Sequence, residues 1–96
     1  MFIVTLSYRK PLSEVDRFVE EHRQYLKAGY AAGHFLLSGR KEPRTGGVIL
    51  ATAAGRDQVE ALIEQDPFHR EGIADYQITE FLPSMAAPGL DALKQA

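Results

Sequence analysis

Two polar residues on apolar helical stripes, His22 and Asp66, are the strongest candidates for chemistry in this sequence. His22 falls on the apolar side of a helix that the spacing predicts over residues 13–33. Asp66 follows Ile63 by three residues and continues the apolar stripe of a second predicted helix. If both helices pack on one face of a sheet, the carboxylate can orient the imidazole and favour its protonated form. Such a pair could act in general acid–base catalysis.

Each of these residues also has a plainer interpretation. A histidine on an apolar stripe is more often a hydrogen-bonded core residue than a catalyst. An aspartate before proline at the end of a helix is usually a turn former or a cap. The three histidines and the scattered carboxylates show no spacing typical of metal ligands, so neither a metal nor an organic cofactor is expected.

Four further polar residues lie where they could contact a ligand. Ser38 is placed at the end of a predicted strand, where its hydroxyl could hydrogen-bond a ligand, but no nucleophile-elbow pattern surrounds it. Arg9, Arg40 and Arg44 lie at predicted strand ends or in loops, where they could hold an anion. Exposed arginines are common, so this signal is weak by itself.

Composition narrows the class of protein. The chain has 96 residues, enough for one domain, with 45% hydrophobic and 25% charged residues. A net charge of −2 gives no electrostatic footprint for nucleic acid or an anionic membrane. There is no cysteine, no apolar run of about 18 residues and no signal-peptide pattern at the start. We therefore expect a cytoplasmic protein with no nucleic-acid or membrane partner.

Local signals place the elements that would position these residues. Ser13 and Asp16 resemble a capping box at the start of the first helix, and Gly29 or Gly33 is expected to end it. Asp57 is the expected N-cap of the second helix, which should end before Pro67. The hydrophobic and β-branched runs predict strands at 2–8, 34–40, 47–53 and 73–82.

The order β-α-β-β-α-β predicts an α+β, ferredoxin-like fold with a four-stranded antiparallel sheet. Both helices would cover one face of the sheet. Three strands contain runs that are apolar on both sides, so something must cover the second face as well. A second copy packed sheet against sheet is the simplest answer, and we expect a homodimer. The expected domain spans residues 1–83, and the tail, 84–96, is expected to pack across the dimer or shield a sheet edge.

With these elements in place, the chain resembles the YciI-like, or YCII-related, family. The landmarks are His22 within EHRQYL, Gly33 before the second strand, Ser38-Gly39, Gly46-Gly47 and, most specifically, Asp66-Pro67-Phe68 followed by Gly72. The resemblance covers about residues 1–83. It implies a dimeric α/β-barrel of ferredoxin-like subunits, with an active-site His and Asp that correspond to His22 and Asp66.

The resemblance also indicates a small-molecule pocket. Some members are linked to dehalogenation of hydroxylated aromatics, and similar barrels isomerise muconolactones. Many relatives carry proline after the glycine that ends the second strand, whereas Arg40 follows Gly39 here, which changes the shape and charge of the pocket edge. Ser38, Arg40, Arg9 and Phe68 are the residues expected to bind the substrate.

Two functions are compatible with these residues. One is a cofactor-independent enzyme of lyase, isomerase or hydrolase type, in which His22 and Asp66 act on a small organic substrate, anionic and cyclic ones included. The other is a non-catalytic dimer that binds a small ligand or a partner protein, with the His–Asp pair as a structural hydrogen bond.

Overall fold

A computed structural model of the protein describes residues 1–95, which form one four-stranded sheet with helices packed against it. In chain order the elements are β1 (Phe2–Tyr8), α1 (Leu12–Asp16), α2 (Val19–Ala31), β2 (Phe35–Arg40), β3 (Gly46–Ala51), α3 (Arg56–Glu64), α4 (Pro67–Arg70), β4 (Ala74–Glu80) and a short 3₁₀ turn (Asp91–Leu93). No helix in this part of the chain is long and apolar enough to cross a membrane.

The sheet has the strand order β2-β3-β1-β4, and every neighbouring pair is antiparallel. The first and third strands are central, while the second and fourth form the edges. This is the split βαβ arrangement, with the hairpin β2–β3 on one side and the last strand on the other. The predicted fold class is therefore confirmed: α+β and ferredoxin-like, with a four-stranded antiparallel sheet.

The core lies between the helices and one face of the sheet, which we call the helix face. Alternate residues of β1 point to this face, and Phe2, Val4 and Leu6 are buried there. Val15 and Val59 meet them from the helical side and are fully buried. This packing brings the helices that carry His22 and Asp66 to the same face, as the sequence predicted.

The helix predicted over 13–33 is interrupted by a turn between α1 and α2. Phe18 leaves the helical region there, with φ −116° and ψ 3°. The predicted capping box is wrong because no side chain caps α1; instead, Asp16 accepts a hydrogen bond from Arg44 Nη2 at 2.6 Å. The end of the helix agrees with the prediction, since Gly33 follows it with φ 80°, a conformation that glycine adopts without steric cost.

Two central strands approach each other closely at Gly46. A Cβ atom at this position would lie 1.9 Å from the carbonyl oxygen of Leu6, which is backbone and cannot move aside without disturbing β1. The sheet therefore requires glycine here for space.

We expect Gly46→Ala to lower the free energy of unfolding by about 1–3 kcal/mol, because the added methyl group overpacks the centre of the sheet. Gly39→Ala is the matched control, since a Cβ atom at Gly39 meets nothing within 4 Å. Urea denaturation of both variants measures the difference. Equal stability of the two variants would contradict the steric explanation.

The other face of the sheet, which we call the open face, carries no helix. Leu37 and Val48 are 60% and 36% exposed, and they lie beside the half-buried Ile3 and Leu50. Towards the β4 edge the same face becomes polar, with Asp75, Gln77 and Thr79 in register with β1. The apolar part of the open face is thus confined to the β2–β3 side.

The tail after β4 folds back on its own subunit. The backbone N–H of Gln95 donates to Pro83 O at 2.8 Å, and the Met1 amino group donates to Gln95 Oε1 at 2.6 Å. Leu90 and Leu93 line an apolar cleft that also includes Met1. The expected contact of the tail with a second subunit stays a prediction.

Candidate active site

The junction between α3 and α4 places Asp66. Its backbone is extended, with φ −73° and ψ 127°, and it is the N-cap of α4. Pro67 occupies the first helical position, where its missing N–H costs nothing. Asp66 Oδ1 accepts a hydrogen bond from the Phe68 backbone N–H at 3.0 Å. Asp66 is thus a helix cap, as the plainer interpretation predicted, and the short helix α4 follows it between the second predicted helix and the last strand.

The same carboxylate also contacts the histidine on α2. Asp66 Oδ1 lies 2.8 Å from His22 Nδ1, and Asp66 is fully buried. An ionised carboxylate only accepts hydrogen bonds, so Nδ1 carries a proton and Nε2 is left for other partners. The structure therefore brings together the two residues singled out from the sequence.

Tyr76 completes the set of donors to Asp66. Its hydroxyl donates to Asp66 Oδ2 at 2.6 Å, so the carboxylate receives three hydrogen bonds, from α2, α4 and β4. Burial, and then the charge of Asp66, raise the pKa of Tyr76 well above its ordinary value. The phenol therefore stays neutral and remains a donor.

Sequence reasoning did not identify Tyr76 as a site residue. Tyr76 lies on the helix face of β4, where it pairs with Leu6 of β1. Its contact with Asp66 depends on the register of β4 against β1, which no local pattern specifies. Tyr76 is also the residue against which His69 packs, edge to face, at 5.5 Å between ring centroids.

Aromatic rings fix the orientation of the imidazole. Phe68 stacks on His22 with a centroid distance of 4.1 Å and an interplanar angle of 5°. The ring of Tyr25 is inclined by 27° to the same imidazole, with a centroid distance of 6.1 Å. The Tyr25 hydroxyl donates a hydrogen bond to Leu62 O at 2.6 Å. Burial, and then the charge of Asp66, raise the pKa of Tyr25. The histidine is thus held by a hydrogen bond at one nitrogen and by packing on its faces.

His22 forms part of the wall of a cavity of about 300 Å³ between α2 and the helix face. Among the predicted ligand-binding residues, Ser38, Arg40 and Phe68 line this cavity. Arg9 does not, because it lies beside Asp75 at 3.5 Å and borders a separate polar groove. The structure therefore brings five of the six predicted site residues together at this cavity. Four of them line it, and Asp66 is buried behind His22.

The second strand brings Ser38 and Arg40 to the cavity through an irregularity at its start. The pairing of β2 with β3 shifts between Phe35 and Leu37, so that Ser38 lies opposite Ile49 on the helix face. The Ser38 hydroxyl is 2.5 Å from the hydroxyl of Tyr30. A residue count without this bulge would put Ser38 on the open face.

Three other lining residues with polar side chains were not among the predicted site residues: Tyr8, Arg23 and Arg44. Arg44 was noted only as one of several arginines that could hold an anion. Arg23 is adjacent to His22 but lies off the apolar stripe, so the spacing gave no reason to select it. Its position at the mouth of the cavity depends on how α2 sits on the sheet.

The arrangement can bind a small molecule and move a proton. A neutral imidazole with Nδ1 held by a carboxylate presents Nε2 as a base, and the resulting imidazolium is stabilised by the same carboxylate. Within residues 1–95 no group of three or more His, Asp or Glu side chains is placed to hold a metal ion.

Comparisons with known proteins agree on the fold. The YCII-related domain family matches residues 1–82 of the chain. A solved structure, the 5-chloro-2-hydroxyhydroquinone dehydrochlorinase of Burkholderia phenoliruptrix AC1100 in complex with 2,5-dihydroxybenzoquinone, superimposes with a TM-score of 0.72 at 19% sequence identity. The similarity covers 86% of this chain and 95% of that one. None of the curated proteins compared with the chain matches its sequence.

Proposed function

The chain belongs to the YCII-related domain family, and we propose that it is a cofactor-independent enzyme that transfers a proton on a small organic molecule. His22 is the general base and acid, and Asp66 orients the ring. Proton transfer by such a pair requires neither a metal nor an organic cofactor. A positioned acid–base group of this kind contributes roughly 10²–10⁴ to the rate.

In this mechanism His22 Nε2 removes a proton from the bound substrate, and the ring becomes an imidazolium. The Asp66 carboxylate, 2.8 Å from Nδ1, stabilises that cation without taking the proton. The imidazolium then returns the proton to another atom of the intermediate or to a leaving group. Phe68, stacked on the ring, keeps Nε2 at the cavity wall during both steps.

One observation carries the proposal: a fully buried carboxylate with three donors holds a histidine that lines a cavity. Burying a carboxylate without these partners would cost free energy, so the three hydrogen bonds hold the network in one geometry. The structural similarity to a dehydrochlorinase that was solved with a small quinone supports a small-molecule substrate for this fold.

The test is a turnover screen of the wild-type protein against small carboxylates, lactones and phenols, followed by proton NMR. If the proposal is correct, any activity found must fall by roughly 10²–10⁴ in His22→Gln. Deuterium incorporation from D₂O at a substrate carbon whose hydrogen does not exchange without the protein would reveal proton transfer even where no net reaction accumulates.

The alternative is a non-catalytic ligand-binding or protein-interaction module. The three hydrogen bonds that Asp66 accepts favour this alternative, because they tie α2, α4 and β4 together and so stabilise the fold. In that case His22→Gln would lower the melting temperature while ligand affinity survived, and no substrate would be turned over.

We further propose that a second copy of the chain covers the open face, so that the protein is a homodimer. Leu37 and Val48 are exposed there beside Ile3 and Leu50, and such an apolar patch is usually an interaction site. The tail is proposed to extend the same interface, since Met85 is 89% exposed.

We expect Leu37→Glu to convert the dimer to a monomer, because it would place charges at the centre of an apolar interface. Analytical ultracentrifugation measures the change. Gln77→Glu, at the polar part of the same face, is the matched control, and we expect the dimer of this variant to dissociate less. A wild-type protein that is monomeric at high concentration, or a Leu37→Glu variant that stays dimeric, would contradict the proposed interface.

A chain ending at Pro83 tests the contribution of the tail. An unchanged dimer would contradict that contribution.

A further inference from the structure

The side chains with a permanent charge that line the cavity are all positive. Three arginines line it, Arg23 from α2, Arg40 from β2 and Arg44 from the loop before β3. No aspartate or glutamate is among the described residues that line the same cavity. A protein with a net charge of −2 has therefore concentrated cationic groups at the one cavity that contains His22.

Each guanidinium is paired with a carboxylate that is not part of the lining. The pairs are Arg44 Nη2 with Asp16 at 2.6 Å, Arg40 Nε with Glu42 at 2.8 Å, and Arg23 Nη1 with Glu20 at 3.0 Å. A guanidinium has five N–H donors, and each of these contacts uses a nitrogen that leaves further donors available. Arg44 is the least exposed of the three, so its position is the best defined.

The opposite wall is aromatic and apolar. Phe68 and His22 are stacked, and Tyr8 meets Phe68 edge to face at 6.0 Å between ring centroids. Leu6 and Ile49 of the sheet add aliphatic surface. A cavity of about 300 Å³ is at the lower end of the range for small-ligand sites, so it suits a molecule of one ring with few substituents.

We propose that this cavity binds a small aromatic carboxylate, with its anionic group at Arg40 and Arg44 and its ring against the Phe68–His22 wall. Arginine is the side chain best suited to a carboxylate, because its planar donors form two parallel hydrogen bonds with it. The ligand then lies beside His22 Nε2. The inference deepens the proposed function in that it names the substrate class for the same site.

The test compares benzoate with benzamide, which has nearly the same shape but no charge. Isothermal titration calorimetry on the full-length wild-type protein should show benzoate binding at least about tenfold more tightly, since a charge-assisted pair contributes more than a neutral one. Arg40→Gln/Arg44→Gln should reduce this preference to about twofold or less. Arg56→Gln, on α3 and bordering the other groove, is the matched control and should retain it.

The single variant Arg40→Glu is a second test in case the double variant misfolds. Arg40 is exposed on an edge strand, so this substitution should leave the fold intact. It should abolish the benzoate preference while the circular dichroism spectrum stays unchanged. Equal affinity for benzoate and benzamide, no binding of benzoate in the millimolar range, or a preference that survives Arg40→Glu would each overturn the inference.

His22→Gln separates this inference from the proposed function. Benzoate recognition depends on the arginines, so the preference should survive in His22→Gln. If it does and the wild-type protein turns over no candidate, the proposed enzyme fails while the anion site stands. If turnover depends on His22 but occurs only on uncharged substrates, and benzoate shows no preference, the inference fails while the proposed function stands.

Discussion

Replacing Asp66 with alanine is expected to lower the free energy of unfolding by about 3–5 kcal/mol. The carboxylate is fully buried and accepts hydrogen bonds from His22 Nδ1, the Phe68 N–H and the Tyr76 hydroxyl. Alanine would leave these donors without an acceptor and would leave space where the carboxylate was. Since domains of this size are stable by only about 5–15 kcal/mol, the loss would be a large part of the total.

Two controls identify the cause of that loss. Asp66→Asn keeps the volume and one carbonyl oxygen, so it should cost about 1–2 kcal/mol, less than alanine. Asp75→Ala removes a carboxylate of the same type from an exposed pair with Arg9, and should change the stability by less than about 1 kcal/mol. Urea denaturation gives the values, and an Asp66→Ala variant within about 1 kcal/mol of wild type would show that the network stabilises nothing.

The fold was accessible from the sequence because its signals are local and mutually consistent. The hydrophobic and β-branched runs of the four strands, the glycine-ended loop between β2 and β3 and the apolar stripe of α3 each indicate their elements, and the order of elements then defines the topology. The break at Phe18 was missed because the apolar spacing continues through it, although the backbone leaves the helical region there.

The candidate site was accessible only in part. His22 and Asp66 stand out because the sequence predicts each as a polar residue on an apolar stripe, but Asp66 lies beyond the end of α3 and is positioned as the N-cap of α4. Tyr76 and Arg23 give no such signal, since a tyrosine on a strand and an arginine beside a helix stripe are ordinary. The side on which Ser38 lies depends on a bulge in β2, and Arg9 was grouped with the pocket arginines although its strand end lies elsewhere.

Replacing His22 with glutamine is expected to reduce kcat/KM on an identified substrate by roughly 10²–10⁴. The amide cannot take up and return a proton, so the acid–base contribution is lost. Glutamine can still donate an N–H to Asp66, which would keep the buried carboxylate supplied with donors. The variant loses the ring stacked on Phe68 at 4.1 Å, so we expect only a modest fall in stability, of about 1–2 kcal/mol.

This combination distinguishes catalysis from packing. His34→Gln is the matched control, because His34 precedes β2 and does not line the cavity; it should retain full activity. Steady-state kinetics and thermal denaturation of both variants provide the two measurements. A large loss of turnover with a folded His22→Gln variant supports the acid–base role, since a purely structural histidine would change the melting temperature far more than the rate. A His22→Gln variant with full activity would refute that role, and the hydrogen bond to Asp66 would then serve only to hold α2 against the junction of α3 and α4.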